Sequence, residues 1–186
     1  SFNGTITNNE NGVAYVKYKR YDDESRYSLI KEVTYFDEDS KPVINKGTDY
    51  HKVVYERDAR GNELSYAYYG IEDQPIVTRY GAFKSKRSYD LNDNEIETSS
   101  WGLNEDIITN AYGVAKTKSE YEKGLRTKLT YYDERNNIVK ASDAGIGIAI
   151  TKYEYDNNGN LTRTTYFDEN ANPANDHTGR QQFNYK

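Results

Sequence analysis

The chain has 186 residues and carries 30 Asp and Glu against 25 Lys and Arg, a net charge of −5. That balance argues against a nucleic-acid partner, because phosphate binding needs clustered basic side chains. The absence of cysteine excludes disulfides and cysteine-ligated zinc, and no apolar run approaches a membrane span or reads as a signal peptide.

Ile, Leu, Val and Phe together make up less than a fifth of the chain, yet 20 tyrosines supply aromatic surface. A buried aromatic removes about 150–250 Å² from water, so an ordered core built mainly of tyrosine is expected rather than disorder. The chain opens inside a degraded repeat at Phe2-Asn3-Gly4 and closes inside another at Phe183-Asn184-Tyr185. It therefore reads as a piece of a longer array.

An aromatic pair followed by a turn recurs along the chain. The copies are Tyr35-Phe36-Asp37-Glu38, Tyr68-Tyr69-Gly70, Ser100-Trp101-Gly102, Tyr131-Tyr132-Asp133-Glu134 and Tyr166-Phe167-Asp168-Glu169. Phe36, Tyr69, Trp101, Tyr132 and Phe167 follow one another at 33, 32, 31 and 35 residues. A fixed period of this size marks a stacked repeat. The approximate repeats are 12–46, 47–80, 81–112, 113–144 and 145–178, with partial copies at both ends, so that 1–186 forms a single repeat module.

Each repeat has two turns and a closing glycine. The first turn is a tyrosine-aspartate turn at Tyr21-Asp22-Asp23-Glu24, Arg57 to Asn62, Tyr89 to Asn94, Tyr121 to Gly124 and Tyr155 to Asn160. Gly, Asn and Asp accept the left-handed backbone of tight hairpins. The second turn ends at Pro42, Pro75, Ile107, Ile138 or Pro173, and Gly47, Gly81, Gly113 and Gly179 close their units, with the fourth copy loosened around Ser142 to Gly145. Leu64 to Tyr68 and Thr151 to Tyr155 alternate strictly, the period of a half-buried strand. Ser25 to Val33 and Val114 to Leu129 carry helix-compatible residues, but the repeat register assigns them to strands as well. The expected fold is all-β, with hairpins stacked as a solenoid or a twisted single sheet.

Tyr153 to Leu161 resembles the tyrosine-aspartate, or Rhs-type, repeat of bacterial surface and toxin-delivery proteins. The fuller unit, with Tyr166 to Asn170 and Pro173, is similar to repeats that flank catalytic domains in some secreted Gram-positive proteins. It also resembles the hairpin repeats of glucan- and choline-binding cell-wall modules, which are shorter and richer in tryptophan. These resemblances imply β-hairpins in a spiral sheet or solenoid, with roles in adhesion, wall binding or encapsulation. They imply a bacterial, secreted or cell-surface location.

The chemical motifs favour no reaction. The acidic pairs could serve glycoside hydrolysis, yet all lie at repeated turns, where Asp bonds to the backbone. Asp156 to Asn160 is rich in oxygen ligands but lacks the calcium-loop pattern. No cofactor and no metal is expected. His51 and His177 occupy unrelated repeat positions and read as lone surface histidines. Lys84-Ser85-Lys86-Arg87, a short basic run, reads as a solvated strand face.

Adjacent strand residues point to opposite faces. The Phe36, Tyr69, Trp101, Tyr132, Phe167 column is always aromatic and is expected to face the interior. The Tyr35, Tyr68, Ser100, Tyr131, Tyr166 column admits serine and is expected nearer solvent. Tyr35, Tyr68, Tyr131 and Tyr166 are the candidate ligand-binding residues, since tyrosine offers a flat apolar face with a polar tip. The partner would be a cell-wall or surface glycan, or another surface protein. The competing reading is that the ladder packs across strands. The sequence thus indicates a non-enzymatic extracellular module for adhesion or carbohydrate and cell-wall binding, or else a spacer or shell segment positioning an attached catalytic or toxin domain.

Overall fold

A computed structural model describes residues 7–22, 29–142, 147–176 and 178–185. The first turn copy beyond Asp22, most of the loosened fourth closure and His177 lie outside the described residues. Among the described residues every regular element is a strand. They are β1 (Tyr15–Arg20), β2 (Ile30–Phe36), β3 (Lys52–Arg57), β4 (Glu63–Tyr69), β5 (Lys84–Tyr89), β6 (Glu95–Trp101), β7 (Lys116–Glu122), β8 (Leu125–Tyr132), β9 (Ile150–Tyr155), β10 (Leu161–Phe167) and β11 (Gln182–Asn184). The expected all-β hairpin repeat is therefore the fold. The stretches with helix-compatible residues supply β2, β7 and β8, so repeat register prevails over local propensity there.

The framework divides into two compact units, residues 1–79 with 83–85, and residues 80–82 with 86–186. In the first, β1 to β4 pair antiparallel in chain order, with Tyr15 opposite Phe36, Val33 opposite Val53 and Val53 also opposite Tyr68. In the second, β6 to β11 do the same, with Lys116 opposite Tyr132, Leu129 opposite Thr151 and Thr151 opposite Tyr166.

The first turns are built by aspartate. Asp58 Oδ1 accepts from the Arg60 and Asn62 amides, Asp90 Oδ1 from Asn92 and Asn94, and Asp156 Oδ1 from Asn158 and Asn160. The asparagine that ends each turn donates its side-chain amide to the other carboxylate oxygen. The shortened copy is instead a two-residue turn, with Lys123 and Gly124 both left-handed at φ 53° and 79°, as a type I′ hairpin requires.

The second turns use the same device. Asp37, Asp133 and Asp168 each cap two amides with Oδ1. Where Gly70 stands in place of the aspartate, Gln74 folds back into the vacant space and caps the Glu72 amide. A Cβ on Gly70 would lie 2.4 Å from the Gln74 side chain, so the two substitutions go together. The left-handed residue of this turn is never glycine. It is Ser40, Asp73, Glu105, Asn136 or Ala171, at φ between 58° and 66°.

One closing glycine departs from expectation. Gly81, Gly113 and Gly179 are left-handed, but Gly47 is not, and Asp49 takes that conformation at φ 69°. The closing turn there is one residue longer, with the Asn45 amide donating to Tyr50 O.

Candidate functional site

The aromatic pair places one ring on each face of the hairpin. On the face of Phe36, each ring meets a lysine, and Tyr69 also packs edge-on against the buried Phe83 at 5.7 Å. The Lys17 ammonium lies 4.2 Å from the Phe36 ring centre, Lys52 5.0 Å from Tyr69, Lys86 3.4 Å from Trp101, Lys118 5.5 Å from Tyr132 and Lys152 4.9 Å from Phe167. All five rings are half-buried. The expectation that this column, and Trp101 with it, is buried in an interior is corrected: each ring is half-buried with a lysine ammonium against its face.

Three of the five left-handed second-turn residues receive lysines on this face. Asp73 binds Lys52, Glu105 binds Lys86 at 3.5 Å, and Asn136 binds Lys116. A side chain at that strained position therefore has a partner that glycine could not supply. The run at Lys84 to Arg87 is likewise not a solvated face. Ser85 is buried, and the three basic side chains are half-buried against Glu56, Glu105 and Glu95 respectively.

The opposite face carries the candidate ladder. In the first unit Tyr50 stacks on Tyr68 at 4.7 Å between ring centres and meets Tyr35 at 5.8 Å, while Tyr66 meets Tyr68 edge-on at 5.5 Å and Tyr55 at 6.3 Å. Val33 and Val53, the latter 2 % exposed, are buried on the same face, with Val53 opposite both Val33 and Tyr68. In the second unit Tyr166 packs edge-on against Phe183 at 6.2 Å, and Tyr131 and Tyr166 line one cleft. Tyr35, Tyr68, Tyr131 and Tyr166 are all half-buried, so this column is no nearer solvent than the other. Burial, then the neighbouring Tyr66 and Tyr50 hydroxyls, pushes the Tyr68 phenol far above its usual range. Burial likewise raises Tyr50, ahead of Tyr35, and Tyr166, ahead of Tyr185 and Asp176.

The tyrosines before the first turns act as latches that the sequence reading did not single out. Tyr21 Oη donates to Tyr55 O at 2.8 Å, Tyr121 Oη to Glu95 O at 3.1 Å, and Tyr155 Oη to Arg126 O at 2.9 Å. Each links one hairpin to the next within its unit. Their signal was the tyrosine itself, repeated immediately before an acidic residue. His51 is corrected from a surface residue to a buried one, 5 % exposed, with its Nδ1 3.0 Å from Val43 O and its ring edge-on to Phe36. Among the described residues no group of three or more His, Asp or Glu is arranged to hold a metal, and no helix is long and apolar enough to cross a membrane.

The geometry is that of a repeat module whose acidic residues build turns. Crystal structures of TcdB2-TccC3-Cdc42 and of TcdB2-TccC3-TEV resemble the chain, each at 15% identity. The first match covers 92% of this chain and 10% of that one, with a TM-score of 0.40; the second covers 81% and 10%, with a TM-score of 0.24. This chain thus spans about a tenth of the length of either matched chain. No curated protein matches. Residues 132–171 match the family model of the RHS repeat, which bears out the tyrosine-aspartate resemblance over the unit running from Tyr132 to the turn after Phe167.

Proposed function

We propose that the chain is a non-enzymatic, extracellular structural segment that positions or walls an attached domain. One observation carries this reading. The candidate ladder is not an exposed strip: in the first unit Tyr35 and Tyr68 both pack against Tyr50, on the face where Val33 and Val53 are buried. An exposed aromatic patch of several hundred Å² would be the mark of a docking surface. Interlocked half-buried rings instead transmit packing from hairpin to hairpin, as a repeat that contacts only its neighbours requires. Of the acidic pairs, Asp37, Asp133 and Asp168 are engaged as acceptors for turn amides.

Adhesion through a cell-wall or surface glycan is the second reading, and the cleft beside Tyr131 and Tyr166 favours it. A glycan array and a cell-wall pull-down separate the two. The structural reading expects no retention of the wild type. It also expects that changing Tyr35, Tyr68, Tyr131 and Tyr166 to serine lowers the thermal midpoint sharply. Retention of the wild type that is lost in a folded quadruple variant would overturn it in favour of adhesion.

A further inference from the structure

Tyr80 and Tyr112 each stand directly before a left-handed closing glycine, Gly81 at φ 80° and Gly113 at φ 76°. Both belong to the second unit, where one closing turn is seated on the other. The Ala111 amide donates to Tyr80 O at 2.9 Å, and a Cβ on Gly81 would lie 2.8 Å from that amide nitrogen. The Tyr112 amide donates in turn to Asn110 Oδ1 at 2.9 Å. The backbone thus sets the two side chains next to one another, with their rings stacked at 6.3 Å between centres and 29° between planes. Both stay open to solvent, 45% and 37% exposed. The turn itself does not require tyrosine at that position, since Asn11 and Thr178 precede Gly12 and Gly179 in the same kind of turn. By contrast, the pairs that Tyr50 makes with Tyr35 and Tyr68, and Tyr66 with Tyr55 and Tyr68, are of half-buried rings.

The usual side-chain targets of oxidation, cysteine and methionine, are absent from the chain, and Trp101 is half-buried against Lys86. Oxidation therefore falls on tyrosine. We propose that Tyr80 and Tyr112 are a site of oxidative tyrosine–tyrosine cross-linking, driven by hydrogen peroxide through a haem peroxidase as the one-electron oxidant. Each phenol gives up an electron and a proton and becomes a phenoxyl radical. The two radicals join through a carbon–carbon bond between the ring positions beside the hydroxyls. Each ring then passes its displaced hydrogen to its own oxygen, which restores both phenols. The protein loses two electrons and two protons in all, and hydrogen peroxide takes them up to become two waters. Stacking supplies the proximity that makes coupling within the pair faster than coupling between chains, and exposure admits the oxidant. The bond would tie adjacent repeats covalently, restricting the unfolded chain as a disulfide does. This chemistry does not depend on the structural role proposed above.

The test treats the full chain, in dilute solution, with a haem peroxidase and hydrogen peroxide, and follows dityrosine fluorescence in the monomer fraction. The expected product is a monomer lighter by two hydrogens, in which proteolytic mapping joins the Tyr80 peptide to the Tyr112 peptide. Tyr112→Phe keeps a ring in the stack but cannot form a phenoxyl radical, so monomer dityrosine should fall severalfold. Tyr80→Phe should do the same and serves as an independent second variant should the first fail to fold. Tyr50→Phe, which removes the phenol shared by two half-buried pairs, should leave the yield unchanged. Absence of dityrosine from the monomer, a cross-link that maps chiefly to the Tyr35, Tyr50 and Tyr68 rings, coupling that is mainly between chains, or an unchanged yield in a folded Tyr112→Phe or Tyr80→Phe variant would each overturn the proposal.

Discussion

The Lys86 ammonium lies 3.4 Å from the centre of the Trp101 ring, and the same lysine reaches Glu105 at 3.5 Å. Tryptophan is the best aromatic partner for a cation, and this contact is the shortest of the five lysine–ring pairs on its face. Lys86→Met keeps the aliphatic cover and removes the charge. It should cost about 0.5–1 kcal/mol, read by denaturant unfolding, with tryptophan emission still short of the fully exposed position. A loss of several kcal/mol would mean that the ring depends on the lysine for burial as well as for charge.

The second turns store strain that can be relieved. Ala171 is left-handed at φ 61° and has no polar side chain to bind a lysine. The left-handed conformation costs an ordinary L-residue roughly 1–2 kcal/mol. Ala171→Gly should therefore raise stability by about 1 kcal/mol, whereas the same change at Asp73 should not, because it removes the partner of Lys52. Equal gains at both positions would show that the turn residues are not chosen for their lysine contacts.

Acid should weaken the turns. The Asn137 side chain beside Asp133, and the Asn160 side chain beside Asp156, hold those carboxyls below their usual values; at Asp168 the Asn172 amide does the same. A carboxyl whose folded value is depressed contributes stability above its unfolded value of about 4, and this is lost as pH falls through the folded value. The thermal midpoint should drop below about pH 4. Asp133→Asn, Asp156→Asn and Asp168→Asn combined should flatten that drop. An unchanged acid limb in the triple variant would contradict the role given to these turns.

Base should act on the ladder. The Tyr50 and Tyr68 phenols are raised by burial first, then by neighbouring tyrosines. Their stabilising effect is complete below the unfolded value of about 10 and is lost as pH rises toward the folded values. Ultraviolet titration should show these phenolates forming late, together with loss of β structure. Tyr50→Phe should retain its fold to higher pH than the wild type.

Much of the architecture was legible because it is periodic. The aromatic pair, the aspartate turns and the alternation at Thr151 to Tyr155 each predict the hairpin that forms there. What escaped the sequence was depth. Phe36 and Trp101 lack the hydroxyl that tyrosine has, which suggested an interior. On this face each ring instead has a lysine ammonium against it. Lys17, Lys52, Lys86, Lys118 and Lys152 follow one another at 35, 34, 32 and 34 residues, so the signal was present as a second period. The left-handed Glu105 and Ala171 could not be read, because their conformation is imposed by the turn and not by their own preference.

The most direct test of the ladder as packing rather than platform is equilibrium unfolding of Tyr68→Ser. Serine is the residue that Ser100 places at the same repeat position. Tyr68 stacks on Tyr50 and touches Tyr66. A loss of about 2–4 kcal/mol, in the range for aromatic truncation in packed surroundings, is the expected result. A change within about 0.5 kcal/mol, typical of a surface substitution, would contradict the account and return the ladder to the role of a binding surface.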